Sequence, residues 1–117
     1  MIRIGRRSIP TRNDPIPRRG EVWLAELDKL RPVIVLTRDP MGRYLSAVLA
    51  APVTSTVRGL TTEVHIGPDD GVRVPSVANL DHTQLVDRRR LRRKVGRVRD
   101  DTMGHLCEAL AAAVDCG

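Results

Sequence analysis

The sequence predicts a small, mainly β domain, a β-barrel with one helix appended at its C-terminus. Apolar runs with β-branched residues lie at 22–27, 33–37 and 45–53, and short turns separate them. The third run is long and rich in Ala, which is typical of a bent strand that closes a small barrel. A segment of good helix formers follows the last strand, and no strand–helix–strand alternation precedes it.

The first half of the chain gives the clearest strand boundaries. Residues 28–30 and 39–42 are predicted as turns, and the second of them contains Pro40 and Gly42. Pro32 opens the second strand, where a missing N–H costs little. The continuous apolar run 33–36 predicts that this strand is covered on both faces.

The second half predicts shorter elements. Strands are expected at 62–66, 76–80 and 94–98, a loop at 67–74, and a connector with a turn of helix at 84–91. Asp100 or Asp101 is predicted to cap a helix that runs to residue 117. One apolar face of this helix is expected to pack on the core, through Met103, Leu106, Leu110 and Val114.

Length and composition indicate one folded domain. The chain has 117 residues, of which 41% are hydrophobic and 29% charged, which excludes intrinsic disorder as the default. No apolar run is long enough to span a bilayer and no secretory signal is recognisable, so a cytoplasmic protein is expected. Cys107 and Cys116 are predicted to be buried or partly buried thiols on one helix, too far apart for a disulfide, and no metal site is expected.

The net charge of +6 is concentrated in two blocks. Residues 1–19 carry a balance of +5 and residues 88–99 a balance of +8, whereas residues 20–87 carry −3. Arg-rich blocks predict a polyanionic partner, with a solvated surface as the alternative. Residues 1–18 are interpreted as a basic, flexible N-terminal arm, and residues 19–117 as the domain. Trp23 and Tyr44 are the chain's aromatic residues, which argues against a base-stacking platform of the RRM type.

Two polar residues stand at neighbouring predicted strand ends. Arg31 lies at the start of the second strand and Thr54 just past the third. A guanidinium and a hydroxyl held by strands predict a phosphate site. The alternatives are a salt bridge from Arg31 to Glu26 or Asp28, and a local backbone cap by Thr54.

Five segments, in order, resemble the MazF/PemK family of toxin endoribonucleases. Together they cover nearly everything after the arm, and their order is more specific than any one of them. The segments are RRGEVW at 18–23, RPVIVL at 31–36, APVTS at 51–55, SVANLDHTQLVD at 76–87 and RRKVGRVRDDTMGHLCEALAAAV at 92–114.

The resemblance implies an SH3-like barrel that forms a homodimer and cleaves single-stranded RNA, such as mRNA or tRNA and rRNA loops, without a metal or other cofactor. Such cleavage uses the neighbouring 2′-OH and leaves a 2′,3′-cyclic phosphate and a 5′-OH. The family also implies a cognate antitoxin whose acidic tail occupies the RNA groove. Two alternatives stay open: a basic RNA-binding barrel without catalysis, and a CcdB-like toxin directed at gyrase.

The family pattern assigns catalysis to Arg31 and Thr54. Arg31 is expected to stabilise charge in the transition state rather than to act as a base, because its pKa lies above 12. Ser55, Asp81 and His82 are expected to support the site. RNA contacts are expected from six cationic residues, Arg19, Lys29, Arg58, Arg88, Arg89 and Arg90.

The chain departs from the family pattern at three places. The loop at 28–30 is shorter than in many members, which implies a more open groove and altered specificity. His82 stands where the family has Gln, and an imidazole there is a candidate acid or base. Gln84 or Asn79 replaces an Arg that many members carry, so one phosphate contact is expected to be lost, and the arginines at 88–93 are the candidates to compensate for it.

Overall fold

The computed structural model describes residues 13–115, which form one antiparallel sheet and a C-terminal helix. The helix is α1 (Asp100–Val114). The strands are β1 (Glu21–Glu26), β2 (Leu30–Val35), β3 (Ala47–Thr54), β4 (Glu63–Ile66), β5 (Ser76–Asn79), β6 (Gln84–Asp87) and β7 (Leu91–Arg97). Within residues 13–115, no helix is long and apolar enough to cross a membrane.

The sheet has the strand order β4-β5-β3-β2-β1-β7, and β6 forms a further pair with β3. All these pairs are antiparallel. The terminal strands β4 and β7 do not pair with each other, so the sheet curls without closing into a barrel. The predicted mainly β fold with a C-terminal helix is confirmed. The sheet differs from the predicted barrel in that its terminal strands, β4 and β7, are not joined by hydrogen bonds.

Two apolar clusters lie on opposite faces of β2. Val33 and Val35 belong to a cluster enclosed by β1, β3, β6 and β7, whereas Ile34 and Leu36 belong to a second cluster that α1 covers through Leu106. Alternate side chains of a strand point to opposite faces, so the continuous apolar run of β2 fills both clusters. The prediction that this strand is covered on both faces is confirmed.

The prediction of a connector with a turn of helix at 84–91 is wrong for residues 84–87, whereas the turn of helix is present at 88–90. Residues Gln84–Asp87 form β6, which pairs with Ala47–Ala50 of β3, and Arg88–Arg90 form a single 3₁₀ turn before β7. Sequence periodicity did not mark this strand. Leu85 is apolar but faces solvent, and charged residues follow directly after Val86.

Helix α1 begins as predicted near residue 100, but its first turn is capped from another part of the chain. Asp70 is 2% exposed, and its carboxylate accepts hydrogen bonds from the Arg99 N–H and the Thr102 hydroxyl, both at 2.9 Å. A carboxylate at this end also complements the helix dipole. The loop before β5 is therefore tied to α1, and neither Asp100 nor Asp101 supplies the cap.

Cys107 lies on the exposed face of α1, which contradicts the prediction that it is buried or partly buried. Cys116 and residues 1–12 of the predicted arm lie outside the described residues. The remaining part of that arm contacts the domain, since the carbonyl oxygen of Pro15 accepts a hydrogen bond from Arg88 at 2.6 Å.

Candidate active site

The adjacent ends of β2 and β3 place Arg31 and Thr54 on one face of the sheet. The register pairs Val33 with Pro52 and Ile34 with Ala51, and continuing it by two residues sets Arg31 opposite Thr54. Both residues line a cavity of about 590 Å³. The strand ends that the sequence singled out therefore meet at one concave surface.

Strand β3 changes its partner beside this cavity. Ala47–Ala50 pair with β6, whereas Val53 and Thr54 pair with β5. Pro52, which has no N–H to give, lies between the two ladders. The 3₁₀ turn Leu80–His82 connects β5 to β6 at this point, and it brings three further side chains to the cavity, those of Asn79, His82 and Gln84.

Arg31 is ion-paired at one edge of its guanidinium. Its Nε lies 2.9 Å from Asp28 Oδ1 and its Nη2 lies 3.1 Å from Asp28 Oδ2. Hydrogen bonding to this guanidinium lowers the pKa of Asp28 to about 2 and raises the pKa of Arg31 above its usual value. The second edge, formed by Nη1 and Nη2, remains for another bidentate acceptor in the cavity that Arg31 lines.

Thr54 uses its hydroxyl oxygen locally. Oγ1 accepts a hydrogen bond from the backbone N–H of Thr56 at 3.1 Å. The hydroxyl hydrogen remains available to an acceptor in the cavity, because a hydroxyl both accepts and donates. The salt bridge and the backbone cap that the sequence offered as alternatives are thus both present, and each leaves a donor of a cavity-lining residue unused.

His82 has its tautomer set by Asn79. The amide oxygen of Asn79 accepts from the Asp81 N–H at 3.0 Å, so its Nδ2 faces His82 Nδ1 at 3.3 Å. An amide nitrogen only donates, so Nδ1 accepts and the ring proton sits on Nε2. In this arrangement His82 lines the cavity with Nε2 as the ring nitrogen that does not contact Asn79.

The other two predicted supporting residues do not line this cavity. The carboxylate of Asp81 accepts a hydrogen bond from the Thr62 hydroxyl at 2.6 Å, which ties the turn before β6 to the start of β4. Ser55 instead lines an adjoining cavity of about 700 Å³ on the far side of Arg31. The first cavity thus contains His82 but neither Ser55 nor Asp81.

Four of the six cationic residues expected to bind RNA are placed away from Arg31 or are engaged by other groups. Arg88 is 2% exposed, and its guanidinium donates to backbone carbonyl oxygens of Pro15, Arg43 and Leu45. Its donors are thus used inside the fold, where they connect the segment before β1 to the residues before β3. Arg19 lies at the opposite end of β1 and donates to the Leu36 carbonyl at 2.7 Å.

Arg89 forms a bidentate pair with Asp87, at 2.7 Å for its closer contact. Arg90 donates to the backbone of Glu26 and remains exposed. Arg58 lines the first cavity and Lys29 the second. Of the predicted RNA contacts, these last two adjoin Arg31.

Arg73 and Arg93 line the second cavity; the sequence did not single out Arg73, and it named Arg93 only as part of the run 88–93. Arg93 belongs to the Arg-rich block, but composition does not show which of its members point toward Arg31. Alternation along β7 was the available signal, since Arg93 pairs with Leu24 of β1 and shares its face. Arg73 lies in the loop before β5, and no sequence pattern marks its direction.

Comparison with known proteins identifies relatives along nearly the whole chain. The family model described as PemK-like, MazF-like toxin of type II toxin-antitoxin system matches residues 18–114. The chain is 42% identical over 104 residues to the probable endoribonuclease MazF5 of Mycobacterium tuberculosis, covering 86% of this chain and 95% of that protein.

Solved structures show the same fold. The Mycobacterium tuberculosis toxin MazF-mt6 matches with a TM-score of 0.79 and 39% identity, over 83% of this chain and 98% of that one. A mycobacterial endoribonuclease in complex with its cognate antitoxin matches with a TM-score of 0.80 and 27% identity, over 86% and 97%. The chain belongs to the PemK-like, MazF-like family of toxins of type II toxin–antitoxin systems.

Proposed function

We propose that this protein is an endoribonuclease toxin that cleaves single-stranded RNA at Arg31 and Thr54. The observation that carries the proposal is the placement of these two residues on adjacent strand ends at one cavity. Membership of the toxin family and the endoribonuclease names of its relatives support the activity.

The proposed reaction is an attack by the 2′-oxygen of one nucleotide on its own 3′-phosphorus. The bond from phosphorus to the 5′-oxygen of the next nucleotide breaks, which leaves a 2′,3′-cyclic phosphate and a 5′-OH. The proton of the 2′-OH is lost to solvent, and the departing 5′-oxygen takes one up. Two equatorial oxygens of the phosphorane gain negative charge during this step.

The free edge of Arg31 suits those two oxygens, because Nη1 and Nη2 form a fork that matches a phosphate. Thr54 adds a hydroxyl donor and His82 an Nε2–H donor on the same cavity. The raised pKa of Arg31 makes it unsuitable as a base. Its role is stabilisation of the phosphorane, and the proposed mechanism needs no metal.

We further propose that the toxin acts in the cytoplasm as a homodimer and is neutralised by a cognate antitoxin. A solved mycobacterial relative is an endoribonuclease in complex with its cognate antitoxin, which supports such a partner here. The toxin domain spans residues 19–117, and residues 1–18 form a basic arm that contacts polyanions.

The test is incubation of the purified protein with total RNA in EDTA, followed by mapping of new 5′ ends and their chemistry. We expect discrete cuts with 5′-OH ends that Arg31→Ala abolishes. Bound but intact RNA would favour the non-catalytic RNA-binding barrel. Intact, unbound RNA together with inhibition of gyrase would favour the gyrase-directed toxin.

A further inference from the structure

The second cavity adjoins the first across Arg31 and Thr54, which line both. It extends over the tip of the β1–β2 hairpin to the loop before β5 and to β7. The hairpin turn at 28–30 is short, and Lys29 and Leu30 line the cavity at its border. A chain bound at Arg31 therefore has an open path in this direction.

Four cationic side chains line the second cavity; Arg31 is paired with Asp28, and the other three differ from it. Among the described residues, the side chains of Lys29, Arg73 and Arg93 form no ion pair with a carboxylate. On the same strand as Arg93, Arg92 pairs with Glu26 and Lys94 with Glu21, each at 2.9 Å. Three unpaired cations around one cavity favour an anionic ligand.

The cavity also has apolar walls. Leu30, Val74 and Val95 line it, and each is exposed, with Val74 at 59%. A ligand that combines backbone charge with flat apolar surface fits this lining, and a nucleotide has both. Aliphatic contact replaces the aromatic stacking that this chain does not offer.

We infer that the second cavity is a subsite for the RNA that flanks the cleaved bond. Lys29, Arg73 and Arg93 bind a backbone phosphodiester, and the aliphatic side chains contact its base. The inference rests on the proposed function, because the strand that reaches this cavity is the one held at Arg31 and Thr54. The RNA then runs from the active site toward Arg93 of β7.

The test measures the binding of a random-sequence, fully 2′-O-methylated RNA dodecamer as a function of salt. The methyl groups block the attacking 2′-oxygen, so binding is measured without cleavage. The variants are Arg73→Gln and Arg93→Gln. Arg92→Gln is the matched control, since it removes the same charge from the same strand at a residue that is already ion-paired.

We expect Arg73→Gln and Arg93→Gln each to weaken binding and to reduce the slope of log K against log salt by about 0.7, the value for one phosphate contact on a single strand. Arg92→Gln should keep the wild-type slope. Thermal melting confirms folding, and Lys29→Gln, at the exposed hairpin turn, repeats the test if either variant melts early. An unchanged slope in the folded variants of Arg73, Arg93 and Lys29 overturns the inference. An equal reduction of the slope in the control Arg92→Gln overturns it as well.

A polyglutamate peptide serves as a second probe. Weaker binding of this peptide, with RNA binding unchanged, would overturn the inference in favour of an acidic protein segment. The proposed function fails separately: if unmodified RNA is bound but not cleaved, the subsite stands while the ribonuclease proposal falls.

Discussion

Arg31 serves two acceptors in this account, Asp28 at one edge of its guanidinium and a phosphate at the other. The ion pair with Asp28 is exposed and adds little to stability. Its effect is geometric, because a bidentate pair holds the guanidinium in one orientation. Thr54 adds one hydroxyl donor on the neighbouring strand.

Arg31→Lys tests the need for a fork rather than a charge. A lysine keeps the positive charge but offers no planar pair of donors, so we expect the cleavage rate to fall by about 10²- to 10³-fold, as for loss of a transition-state donor. Thr54→Val should lower it less, since it removes one neutral donor. Single-turnover cleavage of a mapped RNA measures both, and a lysine variant of wild-type rate would contradict the role given to Arg31.

Asp28→Asn separates orientation from charge. The variant removes a negative group beside the bound phosphate, so RNA should bind more tightly, whereas kcat should fall because Arg31 is no longer held by two charged contacts. Measured kcat and KM should therefore both decrease. If the variant binds RNA more weakly and also has a lower kcat, Asp28 acts on folding or on substrate contact instead.

The lowered pKa of Asp28 fixes the pH range of this pair. A carboxylate with a folded-state pKa of about 2 stays ionised above the unfolded value near 3.8, and the pair is lost only as pH falls through about 2. Asp28 thus contributes no pH dependence to cleavage above about pH 4. An NMR titration of its side-chain carboxyl should show a midpoint near 2, and a midpoint at the ordinary value would contradict the ion pair.

Among the elements, the contact between the loop before β5 and strand β7 sets the shape of the second cavity. Gly71 has φ +85°, and a Cβ there would lie 2.8 Å from the Cα of Gly96. Both the left-handed backbone and the close approach require glycine. The loop that carries Arg73 is therefore seated directly on β7, next to Arg93.

Gly71→Ala is expected to lower the free energy of unfolding by about 1–3 kcal/mol, from strain and displacement of the loop. Urea unfolding measures this change. Gly67→Ala is the control, because its added Cβ would meet no atom within 4 Å and its φ of −151° suits any residue. Equal losses in the two variants would contradict the close packing of the loop on β7.

Strands with apolar, β-branched runs were predictable, and elements that depend on distant partners were not. The sequence predicted β1 to β3 and Arg31 and Thr54 at their ends, because short turns and apolar runs are local signals. The cap of α1 was missed because Asp70 lies in an earlier loop and reaches Arg99 and Thr102 only in the folded chain. β6 was missed because Leu85 faces solvent.

At the scale of the whole molecule, charge density alone did not indicate which arginine side chains are available to bind an anionic ligand. Arg88 and Arg93 belong to one block in the sequence, yet Arg88 is buried against backbone carbonyl oxygens while Arg93 lines the second cavity. The difference depends on where the fold places each side chain, and composition does not show that placement. The same block thus contributes both to stability and to the proposed RNA path.

Arg88→Gln tests the structural part of this division. It leaves carbonyl oxygens of Pro15, Arg43 and Leu45 without their charged donor, so we expect the free energy of unfolding to drop by about 2–3 kcal/mol. Urea unfolding measures this drop, and the salt slope of RNA binding should stay unchanged. Arg90→Gln, at an exposed neighbour, should leave stability nearly unchanged. A stable Arg88 variant with a reduced salt slope would restore its predicted role as an RNA ligand.

The most direct measurement is a crystal structure of the protein with an RNA that carries a single 2′-deoxy nucleotide at the mapped cleavage position. We expect the scissile phosphate in the cavity at the adjacent ends of β2 and β3, with its oxygens about 2.7–3.1 Å from the Arg31 Nη atoms and from Thr54 Oγ1. A scissile phosphate held elsewhere, with Arg31 still paired only to Asp28, would contradict it.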